Sequence, residues 1–320
     1  MLIYVLFILG FVLLIKGADF LVEGASSVAK KFNISNIVIG LTIVAFGTSM
    51  PEFIVSFIAS LNGNTDIAIG NILGSNIANI FLILGISSII YPLATKKNTI
   101  WKEIPFSLLS ALVLLFLVSD NFIDGLGFSA LTKIDGLILL SFFIIFLYYT
   151  FGISKVNTES DDTDIKVKSL SNTKSIFFIL IGLVCLVVGG KWIVDGAVKI
   201  ANILHMSESL IGLTIVAVGT SLPELATSAV AAYKKHTDIA IGNIVGSNIF
   251  NILFILGSSA MVGNLNFDKS SYIDVFMTIF ASLFLFVMMF LGKKHIIERW
   301  QGFIMILVYV AYVVLLIFIK

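Results

Sequence analysis

The sequence predicts an all-α polytopic membrane protein with ten transmembrane helices in two inverted five-helix repeats. Three observations predict it. The 320-residue chain is 58% hydrophobic and 12% charged, with a mean hydropathy of +1.08, whereas a soluble domain is nearer half apolar and a quarter charged. Apolar runs long enough to cross a bilayer recur along its whole length, without the short alternating segments of a membrane barrel. The chain also repeats itself. SNIVIGLTIVAFGTSMPEF at 35–53 returns as SESLIGLTIVAVGTSLPEL at 207–225, and TDIAIGNILGSNIANIFLILG at 65–85 returns as TDIAIGNIVGSNIFNILFILG at 237–257, both 172 residues on.

A spanning helix needs about 20 apolar residues. The runs place helices at 2–24, 36–60, 67–90, 101–119 and 131–150, which make up a first repeat over 1–152. A polar, charged stretch sets a cytoplasmic linker at 153–173. The second repeat, 174–320, holds helices at 174–197, 208–232, 239–262, 270–291 and 300–319. The first apolar run lacks a basic leader and is long, so it reads as an uncleaved first helix. Gly17, Glu23 and Gly24 there align with Gly189, Asp195 and Gly196 at the same offset.

Basic residues set the orientation. Lys30, Lys31, Lys96, Lys97, Lys102, Lys155, Lys166, Lys168, Lys174, Lys234, Lys235, Lys293, Lys294 and Arg299 fall in the odd-numbered loops. The alternate loops hold little beyond Lys133, Lys199 and Lys269. Positive residues stay in the cytoplasm, so both termini are expected outside the cell. Five spans is an odd number, so the second repeat enters the membrane from the opposite side. Opposed repeats with a midplane site between them are the architecture of many secondary transporters.

A net charge of +1 and the lack of a basic patch interleaved with aromatics leave no case for nucleic acid. Cys185 is the only cysteine, so an intrachain disulfide or thiolate cluster is excluded, and its LVCLVV setting makes it a packing residue. No HExxH, paired catalytic aspartates or Ser/His arrangement is present, so the chain does not read as an enzyme. Membrane lipid is the expected surrounding, and no cofactor or obligate protein partner is evident.

The chemistry lies in the repeats. GTSMPE at 47–52 and GTSLPE at 219–224 fall near mid-span, as do Ser75 with Asn79 and Ser247 with Asn251. Ala45, Thr48, Ser49 and Glu52 follow helical spacing on one face, and Ala217, Thr220, Ser221 and Glu224 repeat it. Pro51 and Pro223 supply no N–H, which frees the carbonyls of Gly47 and Gly219. Such carbonyls in a bilayer need a partner or a wet cavity. Oxygen-only donors select hard cations such as Ca²⁺, Mg²⁺ or Na⁺. Two glutamates balance one Ca²⁺ or two Na⁺. An isolated membrane hydroxyl bonds its own backbone and a proline often only kinks, but a mid-span carboxylate costs several kcal/mol and demands a function.

Other features have plainer readings. Gly70–Gly74 and Gly242–Gly246 are GxxxG pairs for close helix packing. Asn71 and Asn243 read as struts behind the ligands. Lys16 with Asp19, and Lys191 with Asp195, can pair or snorkel. His205, His236 and His295 are loop residues, and Trp101, Trp192 and Trp300 are expected at span ends.

GTSMPE…GNILGSNIAN and GTSLPE…GNIVGSNIFN closely resemble the two alpha repeats of the cation/Ca²⁺ antiporter superfamily, and within it the prokaryotic sodium/calcium exchangers. The resemblance covers nearly the whole chain. It implies electrogenic exchange of Na⁺ for Ca²⁺ by alternating access in the plasma membrane of a prokaryote, with helices 1 and 6 moving across the other eight. It also implies ion ligands at Thr48, Ser49, Glu52, Ser75, Asn79, Thr220, Ser221, Glu224, Ser247 and Asn251, with the carbonyls of Ala45 and Ala217. Potassium-dependent members favour Asp where this chain has Asn251, which argues against potassium coupling. The Glu that follows the Asn of GN in proton/calcium exchangers is replaced by Ile72 and Ile244. The alternatives are a proton-coupled or broader divalent-cation exchanger of the same fold and, further off, a cation channel.

Overall fold

Apolar runs of this length fold as helices because lipid offers their backbone groups no other partner. The computed structural model describes residues 2–123, 125, 127–154, 170–203, 217–268 and 271–319. The first half comprises α1 (Leu2–Phe32), α2 (Asn36–Thr48), α3 (Met50–Leu61), α4 (Thr65–Ile90), α5 (Thr99–Leu117) and α6 (Lys133–Ser154). The second comprises α7 (Asn172–Ile203), α8 (Ala217–Thr220), α9 (Leu222–Tyr233), α10 (Thr237–Val262), α11 (Ser271–Met288) and α12 (Arg299–Ile319). Among the described residues eight helices are long and apolar enough to cross a membrane, and the bent pair α2–α3 adds a ninth. The span expected at 208–232 falls partly outside the described residues, with α8 and α9 as its described part, and so does most of the 153–173 linker.

α1 outruns its expected end. Lys30 and Lys31, expected in a loop, form its last turn, where the C-terminal end of the helix dipole favours cations. Asn33 then stops the helix at φ +56, and the Ile34 N–H donates to the Ala29 carbonyl at 2.9 Å.

α1 and α7 lie backbone to backbone. A Cβ on Gly10 would come within 2.9 Å of the Gly189 carbonyl oxygen, one on Gly17 within 2.8 Å of the Gly182 oxygen, and one on Gly24 within 2.8 Å of the Ser175 oxygen. Partner numbers fall along α7 as they rise along α1, so the two helices run antiparallel. Trp192 lies inside α7 rather than at its end, because that helix runs on to Ile203. Asp19 pairs with Lys234, beyond α9, rather than with Lys16.

α4 and α10 occupy the centre, and α10 is almost wholly enclosed. Ile69, Ile72, Leu73, Ile77 and Phe81 pack there with Ile239, Ile241, Ile244, Ile249 and Leu253. Gly242 and Gly246 sit against α2, where their Cβ positions would meet the Ile37 oxygen at 2.8 Å and the Leu41 Cα at 2.7 Å. This is the close packing that GxxxG predicts. Gly70 and Gly74 have no described atom within 4 Å of theirs, and residues 209–216, which the repeat would set against them, lie outside the described residues.

Two short ribbons tie the halves together. β1 (Leu93–Ala94) pairs antiparallel with β4 (Ile296–Ile297), and β2 (Ala130–Leu131) with β3 (Leu265–Asn266). Large apolar side chains such as Ile8, Ile144, Phe303 and Leu307 point outward. That surface suits an integral membrane protein whose solvent is lipid.

Candidate functional site

Local breaks build the site. The helical path stops at Thr48 and resumes at Met50, with Ser49 at φ −82, ψ 6 and a bend of 49°. Ser221 makes the same break between α8 and α9 at φ −87, ψ 7. Pro51 and Pro223 fall in the first turn of the resumed helix, where a missing N–H is tolerated. On the central helices, π-helical turns run over Asn79–Leu84 in α4 and Asn251–Leu256 in α10. Such turns are frequent at functional sites.

The structure links Thr48, Ser49, Glu52, Ser75, Thr220, Ser221, Glu224 and Ser247 in one hydrogen-bonded cluster, while Asn79 and Asn251 on the same central helices bond to Asn248 and Asn76. Glu52 and Glu224 are each 1% exposed. Their hydroxyl donors come from both halves. Ser221 Oγ donates to Glu52 Oε1 at 3.0 Å, and Ser75 Oγ lies 3.5 Å from the same oxygen. Ser49 Oγ donates to Glu224 Oε1 at 2.9 Å, with Ser247 Oγ at 3.4 Å. Ser221 also reaches Ser75 at 3.0 Å. Each glutamate is therefore held by the serine beside the other, which brings both carboxylates into one site.

Asn71 and Asn243 brace the cluster. Thr220 Oγ1 donates to Asn71 Oδ1 at 3.2 Å, and Thr48 Oγ1 to Asn243 Oδ1 at 3.0 Å. Asn71 Nδ2 holds Ser56 Oγ at 2.9 Å and the Glu52 carbonyl at 3.3 Å. Asn243 Nδ2 holds Ser228 Oγ at 3.0 Å and the Glu224 carbonyl at 3.4 Å. The Ala45 carbonyl accepts the Ser49 N–H at 3.0 Å and lies 3.4 Å from Thr48 Oγ1, and Ala217 opens α8.

Some hydroxyls elsewhere do what isolated membrane hydroxyls do. Thr42, Ser60, Ser110 and Thr150 each donate to the carbonyl four residues back, at 2.6–2.9 Å. Those of the cluster reach across between helices instead. Sequence reasoning missed Asn76, Asn248, Ser56 and Ser228. Their recurrence at the 172-residue offset was the signal that could have found them.

Among the described residues, the buried oxygens with no hydrogen-bond partner include Glu52 Oε2, Glu224 Oε2, Asn79 Oδ1 and Asn251 Oδ1. Among the described residues no ion pair reaches either glutamate. An unpaired buried acceptor is expensive, and an unpaired buried charge more so. Such oxygens, two on the glutamates and two on the central helices α4 and α10, fit a hard cation, which satisfies acceptors with its charge and needs no donor hydrogen.

Comparison with known proteins gives the cluster its setting. The family model described as "Sodium/calcium exchanger protein" matches residues 2–152 and 174–318. The sodium/calcium exchanger MaX1 of Methanosarcina acetivorans is 33% identical, over 99% of both chains. The inner membrane protein YrbG of Escherichia coli K12 is 35% identical, over 83% of this chain and 82% of its own. A solved structure of the sodium-calcium exchanger NCX_Mj, soaked with 2.5 mM Na⁺ and 0.1 mM Ca²⁺, superposes with a TM-score of 0.82 at 35% identity, covering 98% of each chain. The cluster thus sits in a chain that belongs to the sodium/calcium exchanger protein family.

Proposed function

We propose that this chain exchanges Na⁺ for Ca²⁺ across the membrane by alternating access, with both ions competing for one site between its halves. Four buried, unpartnered oxygens carry the proposal: Glu52 Oε2, Glu224 Oε2, Asn79 Oδ1 and Asn251 Oδ1. The donors Thr48, Ser49, Ser75, Thr220, Ser221 and Ser247, with the Ala45 and Ala217 carbonyls, complete an all-oxygen set suited to both cations. Two formal charges balance one Ca²⁺ or two Na⁺. A site that cannot hold both loads couples their movement, because each ion biases only the states it binds differently.

The architecture belongs to the same proposal. Ten spans in two five-helix repeats, 1–152 and 174–320 about a cytoplasmic linker, place the site at mid-membrane with both termini outside the cell. Inversion of the repeats is supported by the antiparallel packing of α1 on its counterpart α7 and by reciprocal hydrogen bonds at the 172-residue offset.

Purified protein in Na⁺-loaded proteoliposomes tests this. Dilution into Na⁺-free medium should drive ⁴⁵Ca²⁺ uptake, and collapsing the Na⁺ gradient should stop it. Uptake that ignores Na⁺ but follows a pH gradient would assign the chain to the proton-coupled alternative. Uptake that needs no counter-ion and does not saturate would make it a channel.

A further inference from the structure

Taking Asn79 and Asn251 as ligands of the carried cation, as proposed above, we infer that Asn76 and Asn248 are positioning residues that lock each ligand amide oxygen-first toward the ion. A primary amide has an acceptor end and a donor end of nearly the same shape. Only the oxygen serves a cation, so a free amide beside an empty site can turn its NH₂ inward. Here the choice is fixed. Asn79 Nδ2 donates to Asn248 Oδ1 at 2.9 Å, and Asn251 Nδ2 donates to Asn76 Oδ1 at 2.9 Å. These bonds occupy the donor ends and leave Asn79 Oδ1 and Asn251 Oδ1 open.

The locking amides are themselves locked. Asn76 Nδ2 donates to the Asn248 main-chain carbonyl at 3.2 Å, and Asn248 Nδ2 donates to the Asn76 carbonyl at 3.2 Å. Both residues are fully buried. Turning Asn76 over would set its NH₂ against the NH₂ of Asn251 and its oxygen against the Asn248 carbonyl, losing two bonds and opposing like ends twice. The orientation of each ligand in one half is therefore set from the other half. A plain helix-to-helix tie would need only the Asn76–Asn248 bonds. The additional bonds to Asn79 and Asn251 are the ones that point to the site.

Double-mutant cycles separate positioning from packing. The readout is equilibrium ⁴⁵Ca²⁺ binding to the purified full-length protein in Na⁺-free buffer. Asn76→Ala should weaken Ca²⁺ binding by about 10-fold or more, the usual cost of losing a group that orients a metal ligand. Asn251→Asp has oxygen at both ends and no orientation to lose. In the wild type its second oxygen faces Asn76 Oδ1, acceptor against acceptor, and in the Asn76→Ala background that conflict is gone. Asn251→Asp should therefore raise affinity more in Asn76→Ala than in the wild type, while Asn79→Asp changes affinity equally in both. Asn248→Ala should reverse the pattern, coupling to Asn79→Asp alone. Asn76→Leu and Asn248→Leu, closer in volume, serve where the alanine cavity prevents folding. Equal gains for matched and mismatched pairs, or no coupling, would overturn the inference. Glu52→Gln in parallel distinguishes the failures. If it keeps wild-type Ca²⁺ binding, the site assignment itself is wrong; if it loses binding while coupling is absent, only the positioning role falls.

Discussion

Replacing either glutamate by glutamine removes one negative charge and keeps the shape. Glu52→Gln retains an acceptor for Ser221, and Glu224→Gln one for Ser49. What changes is the Coulomb attraction. Two unit charges about 4 Å apart attract by about 4 kcal/mol at the effective dielectric of about 20 that suits protein sites, and a divalent ion doubles that to about 8 kcal/mol. Ca²⁺ therefore loses about 4 kcal/mol more than Na⁺ does from one substitution, a fall of about 1,000-fold in the preference for Ca²⁺. The environments of the two carboxylates are near mirror images, with donors at 3.0 and 3.5 Å for Glu52 and at 2.9 and 3.4 Å for Glu224. Both variants should thus be impaired to a similar degree. Isothermal titration of purified, monodisperse protein with Ca²⁺ and separately with Na⁺ measures the two affinities. Less than about a tenfold loss of Ca²⁺ affinity in both variants, or equal losses for the two ions, would refute the reasoning.

Two further outcomes are expected. Gly17→Ala should lower the melting temperature in detergent and slow exchange, because its Cβ would stand 2.8 Å from the Gly182 oxygen and 2.9 Å from the Leu186 nitrogen, main-chain atoms that cannot step aside; overpacking of this kind costs about 1–3 kcal/mol, and Gly152→Ala, with no described atom within 4 Å of its Cβ position, should leave both readouts unchanged. His236, at the turn before α10, is held below its ordinary value of about 6.5 by burial and then by the Lys234 ammonium. The unfolded chain takes up that proton more readily, so stability is complete above about pH 6.5 and is lost as pH falls towards the folded value; melting curves from pH 8 to 5 should show the decline, and His236→Gln should flatten it.

The repeat made much of this molecule legible in advance. GTSMPE and GTSLPE put one carboxylate in each half at equivalent depth, and an internal offset of 172 residues implied that the halves would face each other. Periodicity could not reveal that Ser49 serves Glu224 and Ser221 serves Glu52, because exchange between halves is a tertiary fact with no trace in spacing. Nor could it reveal the break at Ser49, since an apolar run reads as one helix until the chain restarts at Met50. Spacing gives Asn76, between Ser75 and Asn79, no role of its own, because its side chain is directed at a helix from the other repeat. α1 runs past its expected end because Lys30 and Lys31, which read as loop residues in a membrane sequence, are cations that stabilise a final helical turn.

Competition at equilibrium tests the shared site most directly. ⁴⁵Ca²⁺ binding to the purified protein should weaken steadily as Na⁺ is raised, with the number of Ca²⁺ sites unchanged and binding fully displaced at saturating Na⁺. Ca²⁺ that stays bound at saturating Na⁺, or Na⁺ that binds with undiminished affinity to the Ca²⁺-loaded protein, would contradict a single site held by Glu52 and Glu224.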